Sequence, residues 1–221
     1  SVWSPDRIVG KTAWRHERSR AGAGILMDVG VHLFNRVRYL FGDPLMVSGL
    51  TSVVEPMRTT RDRRGEIVET VTCDVEDTAF ANMTFARDAI GSFSLSWAGR
   101  GSAAALSCET AIYGDLGCIR ESQILSDHHG TLPLISSFVD DVTPDEHQAR
   151  FPSGVENPFA LEQHAFFQAI RTGEPMETDG REGLKDVAAS YAVIESAFRG
   201  ESVDFRDVED CVVEGYQRKI N

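Results

Sequence analysis

Residues 77–86 read DTAFANMTFA and alternate two kinds of side chain. Small or apolar residues take every second position: Ala79, Ala81, Met83 and Phe85. Mostly polar residues stand between them. Because successive side chains of a β-strand point to opposite faces, this period of two predicts a strand that is fully buried on one face only.

The same period of two continues through most of residues 45–125. Short turn-forming stretches separate the segments, for example at Arg64-Gly65 and between Asp115 and Gly117. Because parallel neighbours need long crossovers, strands joined in this way pair antiparallel. The further predicted strands are LMVSGLTSVV (45–54), EIVETVTCDV (66–75), AIGSFSLSWA (89–98), ALSCETAIYGD (105–115) and GCIRESQ (117–123).

A helix is predicted before these strands, over residues 25–41. Its apolar residues recur at spacings of three and four, and Gly42-Asp43-Pro44 ends it, since proline cannot continue a helix. The predicted buried stripe consists of Ile25, Val29, Leu33, Val37 and Leu40.

Two further helices are predicted near the C-terminus. Asn157 caps the first, with Pro158 in its first turn, and Gly173 ends it. Asp179 opens the second, with Glu182 as its capping-box partner. The second helix ends at Gly200, and its predicted buried stripe consists of Leu184, Val187, Tyr191, Ile194 and Phe198.

These elements predict an α+β fold with a large, open, mainly antiparallel sheet and helices packed on one face. The polar residues 126–156 are expected to form a long loop, and residues 203–205 a short strand. Residues 1–221 are interpreted as a single domain. Since the other face of such a sheet must be covered, we expect a homo-oligomer that pairs through it.

Composition argues against several classes of protein. The net charge of −12, from 34 acidic and 22 basic residues, disfavours nonspecific binding to nucleic acid or anionic membranes. There is no apolar run of about 18 residues, so no membrane span is expected. The basic run 58–65 is interpreted as a solvated hairpin tip. Scattered cysteines without C-x-x-C spacing indicate reduced thiols and a cytoplasmic setting, although Cys108 could pair with Cys118.

Two glycine clusters invite a test as dinucleotide-binding loops. Gly22-Ala23-Gly24 has Met27 where the fingerprint needs glycine or alanine, and a polar stretch rather than a strand precedes it. The segment Gly99–Ala104 fits the fingerprint, but a strand rather than a helix is predicted after it. A dinucleotide loop aims a helix N-terminus at the pyrophosphate, so neither cluster predicts a cofactor site.

Asp28 and His32 are the first candidates for chemistry. Residues four apart lie on one face of a helix, and Asn35 extends that face. A carboxylate beside an imidazole orients it and raises its pKa, which suits general acid–base catalysis on a hydroxyl group. The glycines around this helix would let a ligand or another segment approach its backbone.

The same spacing also fits other roles. A surface ion pair or a satisfied buried histidine would look alike in sequence. Asp28 and His32 could also share a metal ion, with further ligands from His128, His129 and His147. The residues by themselves leave these roles open.

Trp14-Arg15 and the stretch AGAGILMDVGVHLFNRVRYLFGDP (21–44) resemble the glucose–fructose oxidoreductase/inositol dehydrogenase/MocA family. The C-terminal domains of that family carry a W-R element, a glycine-rich loop, D-x-G-x-H and a helix ending in a G-x-P turn. The resemblance continues in order through residues 77–97, 112–120 and 156–205.

The resemblance implies a two-domain oxidoreductase. An N-terminal Rossmann domain would bind NAD or NADP, and this α+β domain would bind a sugar or polyol substrate. His32 would be the acid–base residue and Asp28 its partner, with Asn35, Arg15 and Trp14 at the substrate. The Rossmann half and the family's Glu-Lys-Pro motif are absent from the 221 residues. We therefore expect the C-terminal part of a longer enzyme, inactive by itself and without tightly bound cofactor.

Two other classes of function stay open at this point. A non-catalytic ligand-binding or oligomerisation module could use the same fold, because a fold does not determine a function. A metal-assisted isomerase or hydrolase would be built around Asp28, His32 and the histidines of the predicted loop.

Overall fold

The structure, a computed structural model, describes residues 5–99 and 110–220. The chain divides into two compact units, Ser1–Cys108 with Thr178–Asn221, and Glu109–Glu177. The strands are β1 (Met46–Ser52), β2 (Met57–Arg61), β3 (Ile67–Thr72), β4 (Thr78–Thr84), β5 (Ile90–Ser96), β6 (Ala111–Gly114), β7 (Gly117–Arg120), β8 (Gln123–Ser126), β9 (Gly130–Pro133) and β10 (Val203–Asp204). The helices are α1 (Arg18–Ala21), α2 (Val31–Phe41), α3 (Leu134–Asp141), α4 (Pro144–Arg150), α5 (Pro158–Thr172), α6 (Gly180–Arg199) and α7 (Phe205–Glu209).

The first unit is built on a four-stranded antiparallel sheet in the order β10-β1-β4-β5. The alternation in DTAFANMTFA is confirmed, since Ala79, Ala81, Met83 and Phe85 are all buried. Helix α6 packs against β1, and α2 lies beside α6. The predicted α+β class and the antiparallel pairing are confirmed, but the strands form three sheets. A hairpin of β2 and β3 and a second four-stranded sheet, β6-β7-β8-β9, are separate.

The predicted apolar stripe of α6 is wrong at its two ends, because Leu184 and Phe198 are exposed. Small residues make up much of the buried face instead, among them Ala189, Ala192 and Ser196. They let the helix approach the sheet closely: a Cβ on Gly49 of β1 would lie 2.2 Å from the carbonyl oxygen of Val193. The N-cap residues are confirmed, but the capping box at Asp179 is not, because the Glu182 carboxylate binds Arg38 instead. Asp179 and Asn157 accept backbone amide bonds at the starts of α6 and α5, and left-handed glycines follow both helices.

The helix predicted over 25–41 begins with a π-helical turn, Leu26–Gly30, before α2. A π turn bonds each carbonyl to the amide five residues on, so it rotates the faces that follow it. Phe34 is buried, whereas Leu40, a member of the predicted stripe, is exposed. The stripe is confirmed at Ile25 and Val37, which are buried. Val29 and Leu33 are partly buried and pack against the core, so the prediction is wrong only at Leu40.

Two further expectations are corrected. Residues 126–156 do not form a long loop, because they contain β9, α3 and α4, the last opened by a capping box between Thr143 and Glu146. The basic run 58–65 is only partly a hairpin tip. Arg58 lies in β2, fully buried, with Nη2 2.6 Å from a carboxylate oxygen of Asp77.

The second glycine cluster lies outside the described residues from Arg100 onward, as does Cys108. Cys73, Cys118 and Cys211 carry free thiols. Among the helices that the structure describes, none combines the length and the apolar character that crossing a membrane requires.

Candidate functional site

Asp28 lies in the π-helical turn, which its neighbours hold on both sides. The amides of Met27 and Asp28 both donate to the carbonyl of Gly24, at 3.1 Å. The carbonyl of Leu26 accepts the hydroxyl of Ser190, which reaches it from α6 at 2.9 Å. Asp28 is therefore carried by a turn with defined hydrogen bonds, and π-helical turns occur often at functional sites.

The carboxylate of Asp28 is paired with Arg15. Nη1 of Arg15 donates to Oδ1 of Asp28, and the two side chains are 33% and 23% exposed. The same guanidinium donates from Nε to the hydroxyl of Thr12 (2.8 Å) and lies over the indole of Trp14, 5.3 Å from its centre. The structure thus brings together three of the predicted site residues, Arg15, Trp14 and Asp28.

His32 follows in the first turn of α2, with an exposed side chain. Across residues 5–99 and 110–220 it makes no hydrogen bond or ion pair with the protein. The partner of Asp28 is accordingly Arg15 rather than the predicted His32. The imidazole is therefore accessible to a molecule from outside the chain.

Asn35, the remaining predicted site residue, faces a charged network. Its amide donates to Asp186 of α6 at 2.9 Å. Arg38 binds the other oxygen of Asp186 and also reaches Glu182 and Asp43. Sequence reasoning missed Asp186, which is separated from Asn35 by 151 residues and carries no local motif.

The glycine-rich start of the site helix is occupied by Glu76. Its carboxylate accepts the amides of Gly24 (2.8 Å) and Leu26 (3.2 Å), where a dinucleotide loop would offer them to a phosphate. A Cβ on Gly24 would lie 1.9 Å from the carbonyl oxygen of Glu76, so glycine is needed for the approach of another segment. A carboxylate at this place would repel a pyrophosphate. These residues therefore do not fit NAD or NADP.

A buried histidine and cysteine form a second cluster that the sequence analysis did not single out. Nε2 of His16 accepts the amide of Val9 at 3.0 Å, and Nδ1 lies 3.4 Å from Sγ of Cys73. A neutral imidazole has one donor and one acceptor, so this network assigns the proton to Nδ1. His16 therefore has no lone pair with which to activate the thiol.

Electrostatics agree with a structural role for this pair. Burial, with the charge of Arg58 as the next cause, lowers the pKa of His16 to about 4. Burial also raises the pKa of the Cys73 thiol, which donates to the carbonyl of Val75. A neutral thiol beside a neutral imidazole is a poor nucleophile.

The metal alternative gains no support from the part of the chain that is described. Among the described residues, no group of three or more His, Cys, Asp or Glu side chains is arranged to hold a metal ion.

Residues 4–205 match the family described as "Oxidoreductase family, C-terminal alpha/beta domain", of the glucose–fructose oxidoreductase/inositol dehydrogenase/MocA group. The chain belongs to this family. The resemblance seen in the sequence is confirmed over nearly the whole chain.

Levoglucosan dehydrogenase of Pseudarthrobacter phenanthrenivorans is 24% identical over 228 residues, which cover 91% of this chain and 56% of that protein. A levoglucosan dehydrogenase in complex with NADH and L-sorbose gives a TM-score of 0.70 at 23% identity, covering 93% of this chain and 56% of its own. An oxidoreductase domain protein from Kribbella flavida gives 0.69 at 20% identity, covering 92% and 56%. The structural likeness shows the fold, and the chain spans about half the length of these relatives.

Proposed function

We propose that this chain is the substrate-side domain of an oxidoreductase that acts on a hydroxyl group of a sugar or polyol, with NAD or NADP held elsewhere in the protein. The observation that carries the proposal is the group formed by Trp14, Arg15 and Asp28 at the start of the helix that presents His32. The names of relatives support the substrate class, since structures of levoglucosan dehydrogenase contain NADH with levoglucosan or L-sorbose.

Each of these side chains suits a polyhydroxylated substrate. His32 is exposed and forms no hydrogen bond or ion pair within the described part of the chain, so it can exchange a proton with a substrate hydroxyl. The Arg15 guanidinium and the Asp28 carboxylate offer hydrogen-bond donors and acceptors for other hydroxyls. The exposed indole of Trp14 offers an apolar face to the carbon skeleton.

We assign to this chain the binding of the substrate and the movement of its proton. Glu76 fills the amide cradle at the glycine-rich loop, so a dinucleotide would have to be bound by residues outside this cradle. Nicotinamide chemistry would be supplied by that separate site.

The test is His32→Ala in the complete polypeptide, with turnover followed by the absorbance of the reduced nicotinamide. We expect kcat to fall by about 100-fold or more, because a general acid–base group contributes on this scale. His164→Ala, an exposed histidine on α5, is the matched control and should leave kcat unchanged. Full turnover of the His32 variant would remove His32 from the reaction.

We also propose that the open face of the β10-β1-β4-β5 sheet pairs with a second copy of the chain. Leu50 and Phe80 lie opposite each other on β1 and β4, and both are more than half exposed. Ile90 on β5 is 82% exposed. Exposed apolar residues grouped on one sheet face are typical of an interaction surface.

A further inference from the structure

Glu76 binds three consecutive backbone amides at the start of the site helix. Its Oε1 accepts the amides of Gly24 and Leu26, and its backbone carbonyl accepts the amide of Ile25 at 3.0 Å. The first amides of a helix have no acceptor within the helix. One buried residue, in the connection between β3 and β4, supplies an acceptor to each of these three.

The backbone connects this contact directly to Asp28. Gly24 donates its amide to Glu76, and its carbonyl accepts the amide of Asp28 at 3.1 Å. A displacement of the Glu76 carboxyl would therefore move Gly24 and, through its carbonyl, the backbone of Asp28. A movement of Asp28 would in turn change the geometry of its ion pair with Arg15.

Close contacts on both sides restrict the movement of the turn that carries Asp28. Gly24 lies so close to the carbonyl of Glu76 that a single added carbon would clash. Ser190 of α6 holds the carbonyl of Leu26. The residues on both sides of Asp28 are thus held between the β3–β4 connection and α6.

We propose that Glu76 is a positioning residue of this site: it fixes the turn that carries Asp28, and with it the Asp28–Arg15 pair and the direction in which His32 points. The inference rests on the proposed function. Both amide bonds end on Oε1, so a proton on Oε2 leaves them in place and removes the charge that strengthens them. Glutamine has the same shape and reproduces the protonated form.

The environment makes this charge titrate near neutral pH. Burial raises the pKa of Glu76 to about 7, and the charge of Asp77 adds to the rise, while the amide bonds from Gly24 and Leu26 oppose it. Between about pH 6 and pH 8 the carboxyl therefore changes from mainly neutral to mainly ionised.

Other groups face Glu76 from the elements packed around it. Tyr191 comes from α6 and Tyr216 from the C-terminal segment, and burial followed by the charge of Glu76 raises the pKa of both. Arg18 lies over the ring of Tyr216. Both tyrosines stay neutral at these pH values, so Glu76 is the group in this contact that changes charge.

The first experiment compares the complete polypeptide with its Glu76→Gln variant. We expect kcat to be about ten-fold lower in the variant at about pH 8, to differ less than about two-fold at about pH 6, and KM to change little. A ratio that is constant with pH, or close to one throughout, overturns the proposal.

Glu195→Gln is the matched control. Glu195 is also a fully buried glutamate, and it accepts the backbone amides of Tyr216 and Gln217 rather than those of the site turn. Its kcat ratio to the native protein should be independent of pH. If Glu195→Gln reproduces the pH-dependent ratio of the Glu76 variant, the effect is general to buried carboxylates and the proposal fails.

A second measurement does not depend on activity. In the isotopically labelled protein, the NMR amide signals of Gly24, Leu26 and Asp28 and the Nε–H signal of Arg15 should titrate with a midpoint near pH 7, and should cease to do so in Glu76→Gln. If Gly24 and Leu26 respond but Asp28 and Arg15 do not, the positioning role is overturned. If all respond but His32→Ala retains full turnover, the proposed function fails and the control of the turn by Glu76 stands.

Discussion

The guanidinium of Arg15 donates a hydrogen bond to the carboxylate of Asp28. The sequence analysis had paired Asp28 with His32. The pair is partly exposed, and partly exposed ion pairs contribute about 1 kcal/mol or less to stability. Its importance under the proposed function is therefore geometric: each member holds the other in place for the substrate.

A double-mutant cycle tests this interpretation. In the complete polypeptide, Arg15→Gln and Asp28→Asn should each lower kcat/KM by about ten-fold, because either change frees the remaining side chain from its partner. The kcat/KM of the double variant should be only slightly lower than that of the less active single variant. Losses in kcat/KM that multiply would show that Arg15 and Asp28 act independently.

The buried Glu76 should make the stability of the protein depend on pH. Its pKa is raised from 4.5 to about 7 by burial, so the folded chain holds the proton more tightly than the unfolded chain. Its contribution to stability is present at low pH and falls as pH rises from about 4.5 to 7. Relative to the native protein, Glu76→Gln should gain up to about 3 kcal/mol of unfolding free energy across this range. Urea unfolding at both ends of the range measures the gain, and an equal difference at the two ends would contradict it.

His16 should have the opposite pH dependence. Burial and the charge of Arg58 lower its pKa from 6.5 to about 4, so the unfolded chain takes up the proton first as pH falls. The stability that neutral His16 contributes is present above about pH 6.5 and is lost towards pH 4. We expect His16→Gln to be less stable at neutral pH, and the deficit to narrow by up to about 3 kcal/mol near pH 4. Chemical denaturation at the two pH values provides the measurement. A deficit that widens in acid would refute the neutral state of His16.

Two glycines give a matched test of how closely α6 lies on the sheet. A Cβ on Gly49 of β1 would lie 2.2 Å from the carbonyl oxygen of Val193 in α6. A Cβ on Gly183, which also lies in α6, would meet nothing within 4 Å. Gly49→Ala should cost about 2 kcal/mol or more, because backbone would have to move. Gly183→Ala should stabilise the protein by about 0.5–1 kcal/mol, since alanine is the better helix former. Thermal unfolding of both variants is the measurement, and similar effects of the two changes would show that the close contact is not maintained in solution.

Local patterns predicted the elements whose causes are local. The alternation around Ala81 identified β4, and the caps at Asn157 and Asp179 located the starts of two helices. Turn residues and short connections were sufficient to predict antiparallel pairing. These signals depend on residues within a few positions of each other.

The errors arise where distant contacts override local character. Arg58 has the charge of a surface residue, yet Asp77 and the carbonyl of Pro5 allow it to be buried. Much of the buried face of α6 consists of small residues because Gly49 lets the sheet approach the helix closely. The periodicity of the α6 sequence does not reveal this close approach.

The site was predicted in the same uneven way. Trp14, Arg15 and Asp28 come from one stretch of sequence and lie together as expected. Glu76 and Asp186 reach the site helix from about 50 and 150 residues away. The only local signal for Glu76 was an acidic pair at the start of a predicted strand, which has no distinctive chemistry in a sequence.

The open sheet face supplies the last prediction. Phe80 lies opposite Leu50 on that face, so a charge at position 80 would be buried without a partner if two copies of the chain met there. Phe80→Glu should therefore shift the molar mass measured by light scattering to that of a smaller species. Val68→Glu on the β2-β3 hairpin, also a strongly exposed apolar position, is the matched control and should leave the mass unchanged. A native protein that is already monomeric, or a Phe80 variant with the native mass, would show that this face does not join two copies. A loss of mass in both variants would place the effect in general charge repulsion rather than in the sheet face.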